Sequence, residues 1–255
     1  MSKVKTLILR TPGTNCDVET SYAFELAGSE TELVHINRLL AKPSLLSEFQ
    51  IMAFPGGFGY GDDLGAGRVL ANEVRLKLGE KISRFHESGG LIIGICNGFQ
   101  ALVKTGILPG PIKDGQKITL TDNNSGRFEC RWTYLSVNPF STCVFTQGLD
   151  RLYLPVAHGE GKLLGSPEVI NKLNSAVYYT DKDGKRNAPY PANPAGTLMD
   201  IAGIADESGR IFALMPHPER FVRGSQHPRW TGEGLKKEGD GLKIFTNAVK
   251  WAREV

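Results

Sequence analysis

At 255 residues, with 40% hydrophobic and 22% charged positions, the chain is long enough to bury a full core as one domain over 1–255. A net charge of +3, with no Lys/Arg block longer than a pair, argues against nucleic-acid and membrane-surface binding. The four cysteines, Cys16, Cys96, Cys130 and Cys143, form no CxxC and no metal-ligand spacing with histidine, so neither a metal site nor a disulfide framework is indicated. Met1 to Lys5 lead into a strand without an apolar leader, and no run approaches the roughly 18 residues of a membrane span. These features point to the reducing cytoplasm.

Short apolar runs alternating with helical patterns predict an α/β fold whose mostly parallel sheet is covered on both faces. In chain order the pattern predicts a strand over 4–9, a helix over 18–27, strands over 32–35 and 51–54, and a helix over 69–87. A strand over 91–95 and a helix over 98–105 follow. From 116 to 137 apolar and polar positions alternate around Ser125-Gly126, which predicts antiparallel strands at the edge of the main sheet. Ser166-Pro167 opens a short helix, since serine caps and proline suits the first turn. The stretch 181–197, rich in Pro, Asn and Gly, reads as a surface excursion. A strand over 211–215 and a helix over 242–253, capped by Asp240, complete the chain, which shows no repeat and no linker.

The chemistry starts at Leu91-Ile92-Ile93-Gly94-Ile95-Cys96-Asn97-Gly98-Phe99-Gln100, where one cysteine stands between a strand and a helix start. Gly94 and Gly98 permit a sharp turn and a close strand–helix approach, the requirements of a nucleophile elbow. A thiol at a helix N-terminus has its anion stabilised by unpaired N–H groups and the dipole. A base is needed to separate this from a buried structural cysteine. His217 supplies one at the polar tip of the 211–215 strand, with Glu219 two residues on to hold the imidazole tautomer. Ligand sites of open α/β sheets lie at the carboxyl ends of the strands, so Cys96 and His217 can converge.

The loop Phe54-Pro55-Gly56-Gly57-Phe58-Gly59-Tyr60-Gly61-Asp62-Asp63-Leu64-Gly65-Ala66-Gly67 follows a strand but contains no GxGxxG, and the chain holds no GxxxxGK[ST]. Nucleotide binding in this chain therefore lacks support. The Gly-Gly backbone suits another use, the donation of N–H groups to the oxyanion of a tetrahedral intermediate. Two other classes are set against this reading. A cysteine hydrolase of related fold would share the elbow but not the Pro216-His217-Pro218-Glu219 tip with Gln100. A non-catalytic module would have lost Cys96, His217 or Glu219, and all three are present.

These motifs resemble the class I (triad-type) glutamine amidotransferases. Further blocks are similar to the glutaminase subunits of phosphoribosylformylglycinamidine synthase: 11–17, 54–63, 125–132, 158–162, 190–194 and 215–220. The resemblance implies a flavodoxin-like sheet with a small antiparallel excursion, and glutamine hydrolysis through a Cys96 thioester. In it His217 is the base, Glu219 its orienting carboxylate, Gly57 and Asn97 the oxyanion donors, and Gln100 with Gly57 the contacts to substrate glutamine. His158 and 125–132 are carried over as pocket or interface neighbours. The resemblance also implies no cofactor in this chain and no metal. ATP and Mg are placed on a separate synthetase partner, which makes formylglycinamidine ribonucleotide for purine biosynthesis, with a small accessory subunit in some relatives. Other class I amidotransferases share the triad motifs. Because Met1 directly precedes the first strand, a separate subunit is favoured over a module of a longer synthetase. The glycines of the loop around Gly57 and Phe58 are expected to make it a mobile coupling element.

Overall fold

The computed structural model of the chain describes residues 3–254. The strands, in chain order, are β1 (Lys5–Arg10), β2 (Glu30–His35), β3 (Ile51–Phe54), β4 (Leu91–Ile95), β5 (Ile118–Thr121) and β6 (Glu129–Val137). They continue with β7 (Arg151–His158), β8 (Lys162–Gly165), β9 (Asn174–Thr180), β10 (Ile201–Ala205) and β11 (Ile211–Leu214). Nine form one sheet in the order β2-β1-β3-β4-β11-β10-β9-β6-β7, and β5 with β8 makes a separate antiparallel pair. From β2 to β11 all neighbours are parallel; from β11 onward all pairings are antiparallel. The expected α/β sheet is thus found, and its antiparallel part is larger than an excursion. Of the strands expected between 116 and 137, β6 lies in the main sheet beside edge strand β7, whereas β5 belongs to the small sheet.

Helices α1 (Asp17–Leu26), α2 (Ile36–Ala41), α3 (Arg68–Glu73), α4 (Gly79–Glu87), α5 (Asn97–Thr105), α6 (Pro167–Ile170), α7 (Trp230–Glu233) and α8 (Leu242–Glu254) account for the expected helical segments and add two short ones. The 69–87 pattern resolves into α3 and α4 joined by a π-helical turn, Val74–Leu78. Leu70, Val74, Leu78 and Ile82 are all buried, a spacing of four residues. A 3.6-residue helix would carry these positions steadily off one face, and the wider π turn keeps them on it.

Asp240 does not cap α8. Its Oδ2 accepts from the Tyr153 N–H at 3.0 Å and its Oδ1 pairs with Lys236 Nζ at 2.8 Å, so the carboxylate ties the segment before α8 to β7. The small excursion over 181–197 lies outside the sheets, joined to β6 where Arg131 donates to Tyr190 Oη at 2.6 Å. Among the described residues no helix is long and apolar enough to cross a membrane.

Candidate active site

Cys96 sits one residue beyond β4, with φ 51° and ψ −105°, a conformation outside both helix and strand. Such strain in a non-glycine residue persists only when neighbours enforce it. Here they do: the Cys96 N–H donates to Leu214 O at 2.9 Å, and the helix α5 is pressed onto the sheet. A Cβ on Gly98 would stand 1.9 Å from Phe54 O, and one on Gly94 would stand 2.9 Å from the Gly98 backbone. Only glycine at both positions allows α5 to leave β4 at this angle. The thiol is 5% exposed and lies 3.5 Å from Ala157 O.

His217 follows β11, the parallel neighbour of β4, with Leu214 registered against Ile95. This adjacency brings Cys96 and His217 together. The His217 Nδ1 lies 2.6 Å from Glu219 Oε1, both side chains are buried, and the His217 Nε2 and Glu219 Oε2 have no protein partner among the described residues. Because the carboxylate accepts, Nδ1 carries a proton, which leaves Nε2 as the position that takes up or releases the second one. Burial opposes a charged imidazole, yet the Glu219 carboxylate and the Cys96 sulfur hold the His217 pKa well above the usual histidine value. The far edge of the sheet closes the site: Pro155 O accepts the His217 N–H at 2.8 Å, and Ala157 O faces the thiol. β7 therefore offers its open-edge carbonyls to both tips, and Pro155 suits an edge strand because it has no N–H to pair.

The glycine loop lies alongside. Gly57 has φ +144°, and a Cβ there would lie 2.7 Å from Asn15 N and from Gly13 O. Its N–H has no protein acceptor among the described residues, and the Asn97 N–H opens α5, where no intrahelical acceptor exists. The loop is held from two sides. On one side Asn15 and Cys16 N–H donate to Gly56 O, Phe58 N–H donates to Gly13 O, and Tyr60 N–H donates to Pro12 O. On the other, Gly59 N–H donates to Asn97 Oδ1 at 3.1 Å, Asn97 Nδ2 to Asp62 Oδ1 at 3.0 Å, and Ala66 N–H to Glu160 Oε1 at 3.1 Å. Gly57 provides both a close backbone approach and a φ that other residues rarely adopt.

Gln100 is buried, and both ends of its amide are engaged: Nε2 donates to Glu160 O at 2.6 Å and Oε1 accepts from Asn97 Nδ2 at 3.0 Å. His158 is also buried. Asn123 Nδ2 donates to two carbonyls, Arg127 O and His158 O, so its Oδ1 must be the acceptor and His158 Nδ1 the donor at 3.0 Å. Burial, reinforced by the charge of His217, lowers the His158 pKa to about 4 and keeps the ring neutral. Phe128 of the 125–132 segment stacks on Phe58 of the glycine loop, centroids 6.2 Å apart.

Sequence reasoning assigned no role to several further groups that the fold brings here. Tyr179 is buried with an unpartnered hydroxyl, and burial together with the Cys96 charge pushes its pKa up. Asp62 and Glu160 tie the glycine loop to α5. Cys16 and Arg220 flank His217 and Glu219, and their presence inside the blocks 11–17 and 215–220 was the available signal. Cys16, His217 and Glu219 each place a potential ligand atom within 4.8 Å of the others, but the Arg220 guanidinium donates to the same sulfur at 3.0 Å and supplies the positive charge there.

Residues 3–252 match the CobB/CobQ-like glutamine amidotransferase domain. The chain is 94% identical over 255 residues to phosphoribosylformylglycinamidine synthase subunit PurQ of Dehalococcoides mccartyi, with 100% of both chains covered. The chain belongs to this glutamine amidotransferase family, in its PurQ branch. The subunit PurQ of Methanococcus maripaludis is 41% identical over 264 residues, covering 97% of each chain. Among solved structures, PurLQS from Thermotoga maritima matches with a TM-score of 0.75 and 31% identity, over 98% of this chain and 99% of that one. Another glutamine amidotransferase from Thermotoga maritima shares the fold, with a TM-score of 0.56 at 14% identity over 99% of each chain.

Proposed function

We propose that this chain, as a single amidotransferase domain, is the glutaminase subunit of phosphoribosylformylglycinamidine synthase and works through a thioester on Cys96. His217 Nε2 takes the thiol proton, the sulfur attacks the side-chain amide carbon of glutamine, and the carbonyl oxygen becomes an oxyanion facing the Gly57 and Asn97 N–H groups. Collapse of this intermediate expels ammonia, which receives the proton from His217, and leaves a glutamyl thioester. Water, deprotonated by His217, then cleaves the thioester to glutamate and restores the thiol. Glu219 holds the Nδ1–H tautomer and stabilises the imidazolium. Gln100 braces the pocket wall for substrate beside Gly57.

The observation that carries this reading is the pairing of a strained Cys96, at the N-cap position just beyond β4, with a His217–Glu219 pair just beyond the adjacent parallel strand β11. The released ammonia goes to the synthetase partner, which binds ATP with Mg and converts formylglycinamide ribonucleotide to the amidine. The match to PurLQS and the PurQ relatives support that partnership. A cytoplasmic location fits a step of purine biosynthesis. The test is reconstitution with the synthetase subunit: Cys96→Ala is expected to abolish glutamine-dependent synthesis while ammonium salt still supports it. Retained glutamine turnover in that variant overturns the reading.

A further inference from the structure

Beside Nδ1 of the imidazole lies a second sulfur that the thioester route does not use. Cys16 is fully buried, its Sγ stands 4.0 Å from His217 Nδ1, and it accepts from Arg220 Nη2 at 3.0 Å while the thiol donates to Asn15 Oδ1 at 3.1 Å. Gly56 borders the same space: a Cβ there would lie 2.8 Å from His217 Cε1 and 3.2 Å from the Cys16 sulfur, so only glycine leaves room for ring and sulfur together. The same short segment carries the backbone N–H groups that hold Gly56, so a single loop contacts both the imidazole and the glycine loop.

The charges make the arrangement purposeful. A buried carboxylate, a thiolate and an imidazolium leave one net negative charge away from water, and burial of an uncompensated charge is costly. Arg220 is the cation that faces this group, and its own proton is held more firmly by Cys16, Glu219 and Cys96 in spite of partial burial. Other charged or titratable groups near the site are His158, kept neutral, Tyr179, kept protonated, Asp17, paired with Arg10 at 2.5 Å, Glu129, paired with Arg131 at 2.6 Å, and Asp62 and Glu160 on the far side of the glycine loop.

We propose that Cys16 and Arg220 are a positioning pair for this site: the Cys16 sulfur anchors the Arg220 guanidinium as the cation nearest the His217–Glu219 pair and wedges the His217 ring so that Nε2 faces Cys96. This rests on the proposed thioester reading. Sulfur suits the place because it is large and polarisable enough to fill the space beside the ring and still accept from the guanidinium. Arginine suits it because its planar guanidinium donates to the sulfur in a fixed geometry and keeps its charge near Glu219 when half-buried, which a lysine point charge does less well.

The experiment compares Cys16→Ala, Cys16→Ser, Arg220→Met and Arg220→Lys in the complex with the synthetase subunit, with thermal unfolding recorded for each and Cys96→Ala as the reference. Cys16→Ala and Arg220→Met are expected to lower glutamine-dependent kcat by about 10- to 100-fold, the scale of a misplaced catalytic group, with KM changed less than about threefold. Cys16→Ser, which keeps a donor and an acceptor, restores most of the rate, and Arg220→Lys restores part of it. Removing the cation raises the pKa of neighbouring acids, so the pH profile of kcat/KM for Arg220→Met shifts to higher pH by about one unit. Ammonium-dependent synthesis stays at the parent level in all four. If Cys96→Ala is inactive with glutamine while folded Cys16→Ala and Arg220→Met match the parent in kcat and pH profile, the positioning role is overturned and the thioester reading stands. If Cys96→Ala keeps glutamine turnover, the site reading itself has failed.

Discussion

The two halves of the nine-stranded sheet solve different problems. On the parallel side β3, β4 and β11 are buried along their whole length, because helices cover both faces, and their carboxyl ends carry Cys96 and His217. On the antiparallel side β6 and β7 alternate between buried and more exposed positions, with one face on the core. The parallel half presents the side chains proposed to react; the antiparallel half supplies backbone carbonyls, at Pro155 and Ala157, that receive the His217 N–H and face the thiol. β11 is the seam, parallel to β4 and antiparallel to β10. A site on one half is thus oriented by the free edge of the other.

The sharpest break of this comparison is chemical. Cys96→Ala or His217→Ala, at the tips of the parallel half, is expected to lower glutamine turnover ~10³-fold or more, measured as ammonia release in the complex. Glu219→Gln keeps an acceptor at Nδ1 but removes the charge that stabilises imidazolium, so a smaller loss of about 10²-fold is expected in the same assay. Equal losses for Glu219→Gln and His217→Ala would show that the carboxylate does more than orient and stabilise.

Packing gives a second contrast. In Gly98→Ala the new methyl would meet Phe54 O at 1.9 Å, and neither backbone can yield without moving the elbow, which predicts a loss of about 3 kcal/mol in denaturant unfolding. Gly126, in the turn before β6, has φ +62° and open space around it, so Gly126→Ala carries only the cost of the left-handed conformation, about 1 kcal/mol. Similar losses at the two positions would mean that the elbow relaxes more easily than its contacts indicate.

A further contrast concerns pH. His158, at the end of β7, has its pKa lowered to about 4, so the unfolded chain binds a proton there that the folded chain resists. Its contribution to stability is complete above the unfolded value of about 6.5 and is lost as pH falls toward 4. Unfolding measured across that window should show the parent losing stability more steeply than His158→Gln. Parallel curves for the two proteins would remove His158 as the source of the acid sensitivity.

The central strands over 51–54 and 91–95 were legible because buried parallel strands are continuous apolar runs bounded by glycine and proline. The antiparallel strands β7, β9 and β10 were not identified in the sequence. β7 carries Pro155 and half-polar alternation, and its role depends on partners at distant positions: Trp132 pairs across from Pro155, and β9 lies between β6 and β10. The π turn at Val74–Leu78 and the use of Asp240 by Tyr153 were hidden for the same reason, since each answers to packing partners remote in the chain.

By itself the sequence determined the local chemistry: the elbow Gly94-Ile95-Cys96-Asn97-Gly98, the His217–Glu219 spacing, and the family to which these motifs point. Such features are set by backbone sterics and side-chain type within a few residues, so they are written locally. Only the tertiary structure decided that β4 and β11 are neighbours, that β7 closes the site with its free edge, and that Cys16 and Arg220 stand beside the imidazole. Those contacts join residues as far apart as 204 positions, and long-range packing selects them from many pairings that local propensity leaves equal.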